Sequence, residues 1–197
     1  MKKLFFFDTE TTGLDPEKNE IVQIAGEICG EKFNFKCRPT NENIDQAALD
    51  IQGVTKEEVM QRPHPQKVFD DLLALLLKYV GPYDPQDRLF AIGHNVSFDI
   101  NFIYKFFEKY CEKNPPGSKF KTKYSPGNFF KGQLCTISMY QLCVMLGFFG
   151  HPKSYALESL CEVHKIELNP HDAMFDIDAT IQLFDIMESE IRNNTPA

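Results

Sequence analysis

The sequence of 197 residues contains no tryptophan and no long uninterrupted run of apolar residues. The opening segment MKKLFFF reaches Asp8 before it attains the length of a signal-peptide core, and no later stretch is long enough to cross a bilayer. We therefore expect a soluble, cytoplasmic protein with no membrane partner. No linker rich in Pro, Ser or Gly divides the chain, so its length predicts one domain over residues 1–197.

The cysteines lack the spacing of a metal site or a disulfide framework. None of the six forms a Cys-x-x-Cys pair; they are Cys29, Cys37, Cys111, Cys135, Cys143 and Cys161. Spacing of this kind favours reduced thiols over a zinc site or disulfides. We assign these residues no chemistry.

The chain also lacks an overall basic charge, with a formal net charge of −7. Positive charge is concentrated in one region, because residues 100–133 contain seven lysines and only two glutamates. Within it, an insertion at residues 112–133 mixes lysines with Phe120, Tyr124, Phe129 and Phe130. Lysines can follow phosphates while aromatic rings stack on unpaired bases, which predicts a surface for single-stranded nucleic acid. The alternative is a solvated loop whose aromatic side chains fix it to the domain.

The periodicity of apolar residues indicates strands first and helices later. Strands are predicted at residues 3–10, 20–30 and 31–38, with two shorter ones in LFAIGHN and LCTIS. Helices are predicted over residues 64–81, from a cap at Ser97 to about residue 113, and over 136–148, 154–165 and 172–192. This order predicts an α/β fold with a mixed sheet flanked by helices.

Two acids, Asp8 and Glu10, stand two residues apart at the end of the first strand, in FFFDTETTGL. Alternation along a strand puts both on one face with their Cα atoms about 7 Å apart. Repulsion between them, beside an apolar strand, is relieved by a proton or a divalent cation, and oxygen ligands favour Mg²⁺ or Mn²⁺ over Zn²⁺. The alternative is that the pair marks a solvent-exposed strand end.

Three further residues have unexpected neighbours. Asp99 opens an aromatic-rich helix in GHNVSFD, and Asp176 shares a helix face with small and apolar residues in HDAMFDIDATIQLF. His171 precedes that last helix. Each has an ordinary explanation: a helix-dipole charge for Asp99, a partly exposed position for Asp176 and a solvated loop side chain for His171.

The segments DTETTG, HNVSFD and HDAMFD, in this order and spacing, resemble the three motifs of the DEDDh (DnaQ-like) exonucleases, the superfamily of the DNA polymerase III epsilon proofreading subunit, ribonuclease T and oligoribonuclease. The resemblance implies a ribonuclease-H-like fold with a five-stranded mixed sheet. It implies that two Mg²⁺ or Mn²⁺ ions are held by Asp8, Glu10, Asp99 and Asp176. It also implies that His171 is the general base in 3′-to-5′ hydrolysis of terminal phosphodiesters to nucleoside 5′-monophosphates.

The same resemblance implies the substrate contacts. The turn of Thr11, Thr12, Gly13 and Leu14 would wrap the terminal nucleotide, with Leu14 on the base, while Asn95 and Phe98 would line the same pocket. Gly53, Val54 and Thr55 resemble the segment that covers the nucleotide, although ordinary packing explains Val54 and Thr55 equally well. Two positions depart from the family pattern: Cys135-Thr136 replaces a frequent Asp-Thr, and Asp172 adds an acid beside His171.

The expected substrate is the 3′ end of single-stranded or frayed DNA. An exoribonuclease that trims RNA or degrades oligoribonucleotides is the alternative, since the metal site does not sense the 2′-hydroxyl. A nucleic-acid-binding or polymerase-partner module without turnover is a third interpretation. A DNA polymerase is a candidate partner, although the short C-terminus favours a freestanding nuclease or a subunit bound through its globular surface. The sequence leaves the oligomeric state open.

Overall fold

The central element of the structure is a five-stranded sheet built around its first strand. The computed structural model describes residues 3–119, 121–167 and 173–194. The strands are β1 (Leu4–Thr11), β2 (Ile21–Ile28), β3 (Glu31–Lys36), β4 (Leu89–Gly93) and β5 (Phe130–Cys135), and their order in the sheet is β3-β2-β1-β4-β5. β1 pairs antiparallel with β2 and parallel with β4, so the sheet is mixed as predicted.

Seven α-helices are described in these ranges, besides a short 3₁₀ helix at Pro126–Asn128. They are α1 (Gln46–Gln52), α2 (Lys56–Met60), α3 (Pro65–Tyr79), α4 (Val96–Tyr110), α5 (Thr136–Met145), α6 (Leu157–His164) and α7 (Ala173–Asn194). None of these helices is long and apolar enough to cross a membrane. All six cysteines are free thiols.

Successive side chains of β1 point alternately into two apolar layers. Phe5 and Phe7 belong to a core that includes side chains of α3 and α4, whereas Phe6 belongs to a second core with side chains of α5, α6 and α7. The Phe6 ring meets Phe184 of α7 edge to face, with centroids 5.3 Å apart. Helices therefore cover both faces of the sheet, and the period of two in β1 decides which layer each of its side chains meets.

Several predicted boundaries differ from the structure. The fourth helix begins at Val96 after an N-cap at Asn95, so Ser97 lies inside its first turn instead of capping it. The strand predicted in LCTIS is instead Phe130–Cys135, and Thr136 already belongs to α5. The short helices α1 and α2 were not predicted. The last helix is described from Ala173, and Asp172 lies outside the described residues.

The insertion at residues 112–133 packs at the end of the sheet where β4 begins. Phe129 is buried, its carbonyl accepts a hydrogen bond from Leu89 N, and Tyr124 and Phe130 pack against the same core. Asp99, by contrast, follows the other end of β4. These contacts favour the alternative interpretation of the insertion, in which aromatic side chains fix a loop to the domain; Phe120 lies outside the described residues.

Candidate active site

Asp8 and Glu10 project from β1 on the side that carries Phe6, toward the layer of α7. Both carboxylates are half-buried, and so is Asp176 in the first turn of α7. Burial raises the pKa of Asp8 well above its ordinary range, and the negative charges of Asp99, Glu10 and Asp176 raise it further. Four acids from three separate segments therefore share one electrostatic environment.

Asp99 reaches this environment from the first turn of α4 and is only 2% exposed. Its Oδ1 accepts hydrogen bonds from the backbone N of Thr9 at 2.9 Å and from the Thr9 hydroxyl at 2.7 Å. Burial raises the pKa of Asp99 to about 7, although both bonds from Thr9 act to lower it. Thr9 thus holds the acid of the second motif against the strand that carries the first motif.

The donor set fits a hard divalent cation. All four groups are carboxylates, and their mutual repulsion, which adds to the effect of burial in raising the pKa of Asp8, is relieved when a cation lies between them. In the ranges that the structure describes, no three His, Cys, Asp or Glu side chains are already grouped around a common ion position. Binding would therefore require the carboxylates to turn toward a shared ion, while Asp99 is already oriented by Thr9.

The turn from β4 into α4 is fixed by His94. Its Nδ1 lies 2.9 Å from the Thr136 hydroxyl and its Nε2 lies 2.9 Å from the Tyr155 carbonyl. Because a carbonyl only accepts, neutral His94 carries its proton on Nε2. Burial lowers the pKa of His94, which favours this neutral form. His94 therefore ties the start of α4, and with it Asp99, to α5 and to the segment before α6.

A cavity of about 560 Å³ adjoins the acids. Thr9 and Glu10 are among its lining residues, so it borders the acidic site. Leu14 and Ile51, which are 80% and 66% exposed, also line it, as does Phe98. Apolar side chains beside the Glu10 carboxylate suit a ligand that has a weakly polar part next to a charged group.

The predicted substrate residues fall into two groups. Thr11, Gly13, Leu14 and Phe98 line the cavity. Thr12 is completely buried, and among the described lining residues neither Asn95 nor Val54 occurs. Val54 packs on a small cluster with Val22, Leu49 and Val59, and Asn95 is the left-handed N-cap of α4. His171 lies outside the described residues.

Gly53 and Thr55 act as helix boundaries in the structure. Gly53 ends α1 with a positive φ of 64°, and Thr55 begins α2 with a capping box to Glu58. Sequence reasoning missed the helix before them, because α1 has only seven residues. That helix supplies a whole wall of the cavity through Gln46, Ala47, Ala48, Ile51 and Gln52. The capping residues on either side, Asp45 and Gly53, are the signal that could have located it.

A mixed five-stranded sheet with this strand order and helices on both faces is the architecture of ribonuclease-H-like folds, and here β1, α4 and α7 bring four carboxylates into one electrostatic environment. The family model RNase_T, described as exonuclease, matches residues 5–184. The chain belongs to this exonuclease family, and its relatives are DnaQ-like exonucleases.

Similar proteins include both separate subunits and parts of larger chains. The chain is 28% identical over 183 residues to the DNA polymerase III subunit epsilon of Aquifex aeolicus, covering 90% of this chain and 76% of that protein. It is 29% identical over 182 residues to the 3′-5′ exonuclease DinG of Staphylococcus epidermidis, covering 89% of this chain but 17% of that protein. The chain thus corresponds to a minor part of some relatives and most of another.

Solved structures with this fold include exonuclease I of E. coli. In complex with a dT13 oligonucleotide, it superposes with a TM-score of 0.74 at 21% identity, over 98% of this chain and 42% of that one. The complex with a dA16 oligonucleotide gives a TM-score of 0.75 at the same identity and coverage. At this identity the comparison shows a shared fold.

Proposed function

We propose that the chain is a 3′-to-5′ exonuclease that releases nucleoside 5′-monophosphates from single-stranded or frayed DNA. The observation that carries this proposal is the shared border of the acidic site and the cavity at Thr9 and Glu10. A terminal nucleoside held in the cavity would have its phosphodiester beside the carboxylates. Hydrolysis there would remove one nucleotide at a time from the end of the strand.

We propose Asp8, Glu10, Asp99 and Asp176 as ligands for two Mg²⁺ or Mn²⁺ ions. Bound ions would stabilise the attacking and leaving oxygens of an in-line displacement at phosphorus. The protein's contribution is orientation: β1 presents Asp8 and Glu10 on one face, and Thr9 fixes Asp99 through two hydrogen bonds. A carboxylate that is already oriented, as Asp99 is, reduces the reorganisation that the reaction would otherwise require.

His171 is proposed as the general base that accepts the proton of the attacking water. Support comes from its place in the sequence, five residues before Asp176 in the motif HDAMFD. An imidazole titrates near neutral pH, which suits proton transfer at physiological pH.

The proposed contacts to the terminal nucleotide are the backbone of Gly13, the side chains of Leu14 and Phe98, and α1. Thr11 and Thr12 would act through the shape of the turn, because their hydroxyls are already bonded to the Gly13 and Asn43 carbonyls and Thr12 is completely buried. Val54 and Asn95 remain proposed contacts, although they do not border the described cavity. Their contribution would require movement of the segments that carry them.

DNA is favoured as substrate by the proteins that this chain resembles. One relative is the epsilon subunit of a DNA polymerase, and exonuclease I has been solved with DNA oligonucleotides. We propose a DNA polymerase as a partner on the same basis. The metal-binding acids themselves do not distinguish the two polymers, so the assay must compare them directly.

The decisive experiment follows 5′-labelled single-stranded DNA and RNA of one sequence in Mg²⁺. Wild-type protein is compared with Asp176→Asn, with Asp178→Asn and with an EDTA reaction. Asp178 is a matched control, because it lies on the same helix but pairs with Lys32 at 2.5 Å. We expect ladders that shorten from the 3′ end with wild type and Asp178→Asn, faster on DNA, and none with Asp176→Asn or EDTA.

Other outcomes have distinct meanings. A faster ladder on RNA would overturn the DNA preference and retain the exonuclease. A ladder that persists in EDTA would overturn the metal-dependent site. Intact substrate with wild type in both Mg²⁺ and Mn²⁺, together with measurable oligonucleotide binding, would favour a binding module without turnover.

A further inference from the structure

Thr12 is the centre of a hydrogen-bonded turn beside the cavity. Its backbone N donates to Glu20 O at 2.9 Å, and Glu20 N donates to the Thr12 hydroxyl at 3.0 Å. The hydroxyl in turn donates to the Asn43 carbonyl at 2.8 Å. Since Thr12 is also completely buried, its side chain cannot touch a ligand and serves the shape of the turn.

Asn19 closes this turn from the other side and is only 9% exposed. Its Nδ2 donates to the Thr12 carbonyl at 3.2 Å and to the Asn43 carbonyl at 3.1 Å. Its Oδ1 accepts from Asp15 N at 3.0 Å. One amide side chain therefore joins both ends of the loop after β1 to the segment that precedes α1.

The same turn is bonded to both ends of α1. Asp45 N, at the N-cap, donates to the Thr12 carbonyl at 2.8 Å, and Gln52 Nε2, in the last turn, donates to the Thr11 carbonyl at 2.7 Å. Gly13 fits tightly here, because a Cβ at this position would overlap the Asp45 carboxylate and the Asn19 amide. The turn and α1 thus form one unit that carries both apolar borders of the cavity, Leu14 and Ile51.

We propose that Asn19 is a positioning residue that sets the spacing between Leu14 and α1, and so the fit of the terminal nucleoside. The proposal rests on the proposed function, in which this cavity holds the terminal nucleoside. Asn19 itself does not border the cavity that adjoins the acids. Its effect is transmitted through Thr12, which it holds at a fixed distance from Asn43 and Asp45.

Replacing Asn19 would remove its own side-chain hydrogen bonds but leave the turn bonded to α1 through other groups. The Thr12 carbonyl would keep its bond from Asp45 N, and the Asn43 carbonyl would keep its bond from the Thr12 hydroxyl. Leucine branches at Cγ as asparagine does and adds no charge that would repel nucleic acid, but it is larger and forms no side-chain hydrogen bonds. The variant Asn19→Leu therefore changes positioning while preserving most of the local hydrogen bonds.

The test measures KM and kcat on single-stranded DNA for wild type, Asn19→Leu and Asn193→Leu. Asn193 is an exposed control at the end of α7, with one 3.4 Å bond to Ser189. We expect KM to rise about five- to tenfold for Asn19→Leu and to stay within about twofold for the control. A purely structural role would lower the folded fraction, which reduces apparent kcat in proportion and leaves KM unchanged.

A second pair of variants tests the turn if Asn19→Leu folds poorly. Thr12→Val removes the buried hydroxyl, whereas Thr12→Ser retains it, so KM should rise with valine and return toward wild type with serine. Unchanged KM in both Asn19→Leu and Thr12→Val would overturn this inference while leaving the exonuclease intact. Wild-type protein that leaves DNA uncut would overturn the proposed function and this inference together.

Discussion

The Asp99 carboxylate is bonded twice to Thr9, through the backbone N at 2.9 Å and through the hydroxyl at 2.7 Å. Because Thr9 lies between Asp8 and Glu10, this pair joins the first and second motifs across 90 positions of sequence. Thr9, which is not acidic, therefore holds Asp99 in a fixed position relative to Asp8 and Glu10. Mutation of a residue that orients a metal ligand through a hydrogen bond typically costs about 10- to 100-fold in metal affinity.

Thr9→Val should weaken metal binding. Valine matches threonine in shape but removes the 2.7 Å bond to Asp99. We expect the Mg²⁺ concentration for half-maximal exonuclease rate to rise about 10- to 100-fold. The measurement is a Mg²⁺ titration of DNA degradation at saturating substrate.

Two comparisons make the Thr9 prediction specific. Thr9→Ser keeps a hydroxyl and should restore most of the affinity. Thr122→Val removes a hydroxyl bonded to the Tyr124 carbonyl within the insertion and should have no effect on the Mg²⁺ requirement. An unchanged half-saturating concentration in Thr9→Val would show that the hydroxyl does not orient Asp99 for metal binding.

Stability of the metal-free protein should fall as pH rises from 5 to 8. Burial raises the pKa of Asp99 to about 7 in the folded protein, against an ordinary value of 3.8 for this side chain. A proton held more tightly by the folded state stabilises it fully below the unfolded pKa, and this contribution is lost as pH rises through the folded value. We therefore expect Tm in EDTA to decrease across this interval, because a buried carboxylate becomes charged.

Asp99→Asn is the control for this pH dependence, because asparagine resembles the protonated carboxyl and can still accept both bonds from Thr9. The difference in Tm between variant and wild type should grow as pH rises in EDTA. Mg²⁺ should reduce that difference at pH 8 by stabilising the charged wild-type site. A difference in Tm that is constant from pH 5 to 8 would show that Asp99 does not titrate there.

Leu14 should contribute to substrate affinity and little to stability. It is 80% exposed and borders the cavity, so replacing it removes almost no buried surface from the free protein. Leu14→Ser should raise KM for single-stranded DNA by about tenfold, the effect expected when an apolar side chain loses its contact with a base. Steady-state kinetics and Tm would be measured together.

Met145→Ser provides a matched exposed control on α5. Met145 is 83% exposed and lies outside the cavity, so KM should remain at the wild-type value. Ile51 is also exposed and lines the cavity, so Ile51→Ser should behave like Leu14→Ser. If both cavity variants keep the wild-type KM, the terminal nucleoside does not bind between these two side chains.

The fold and the shared strand face of Asp8 and Glu10 could be predicted because they depend on local patterns. Alternation in β1 placed Asp8 and Glu10 on one face, and the family motifs indicated Asp99 and Asp176. The Thr9–Asp99 bonds could not be predicted in this way, because they join distant segments whose approach depends on the parallel pairing of β1 with β4. Periodicity shows which face of a strand or helix a residue occupies, but it does not show which residues of other segments it contacts.

Short helices and turns were harder to predict for a related reason. Only Leu49 is buried in α1, so the helix lacks the repeated apolar stripe that periodicity detects. Asn95 adopts a left-handed conformation at the start of α4, which shifts the cap two residues before Ser97. The role of Asn19 depends on a carbonyl seven positions away and another 24 positions away, which sequence spacing does not reveal.

The lysines of the insertion should contribute little to substrate binding. Lys123 pairs with Glu112 at 2.9 Å, Lys121 lies 3.7 Å from Glu108, and Lys113 donates to the Glu108 carbonyl. Exposed pairs of this kind are worth little to stability, so replacing them should also leave the fold intact. We therefore expect a variant with glutamine at Lys113, Lys119, Lys121 and Lys123 to keep KM within about twofold of wild type. The reason is distance: the insertion packs at the start of β4, whereas Asp99 follows the end of β4.

This prediction is tested by measuring how KM depends on salt concentration. Lysines that contact phosphates release counterions on binding, so their removal would lower the slope of log KM against log salt by roughly 0.7 for each contact on a single strand. We expect the slope of the four-lysine variant to match that of wild type. A large rise in KM with a reduced slope would instead show that the substrate strand extends along the α4 layer as far as the insertion, as the lysine and aromatic pattern first suggested.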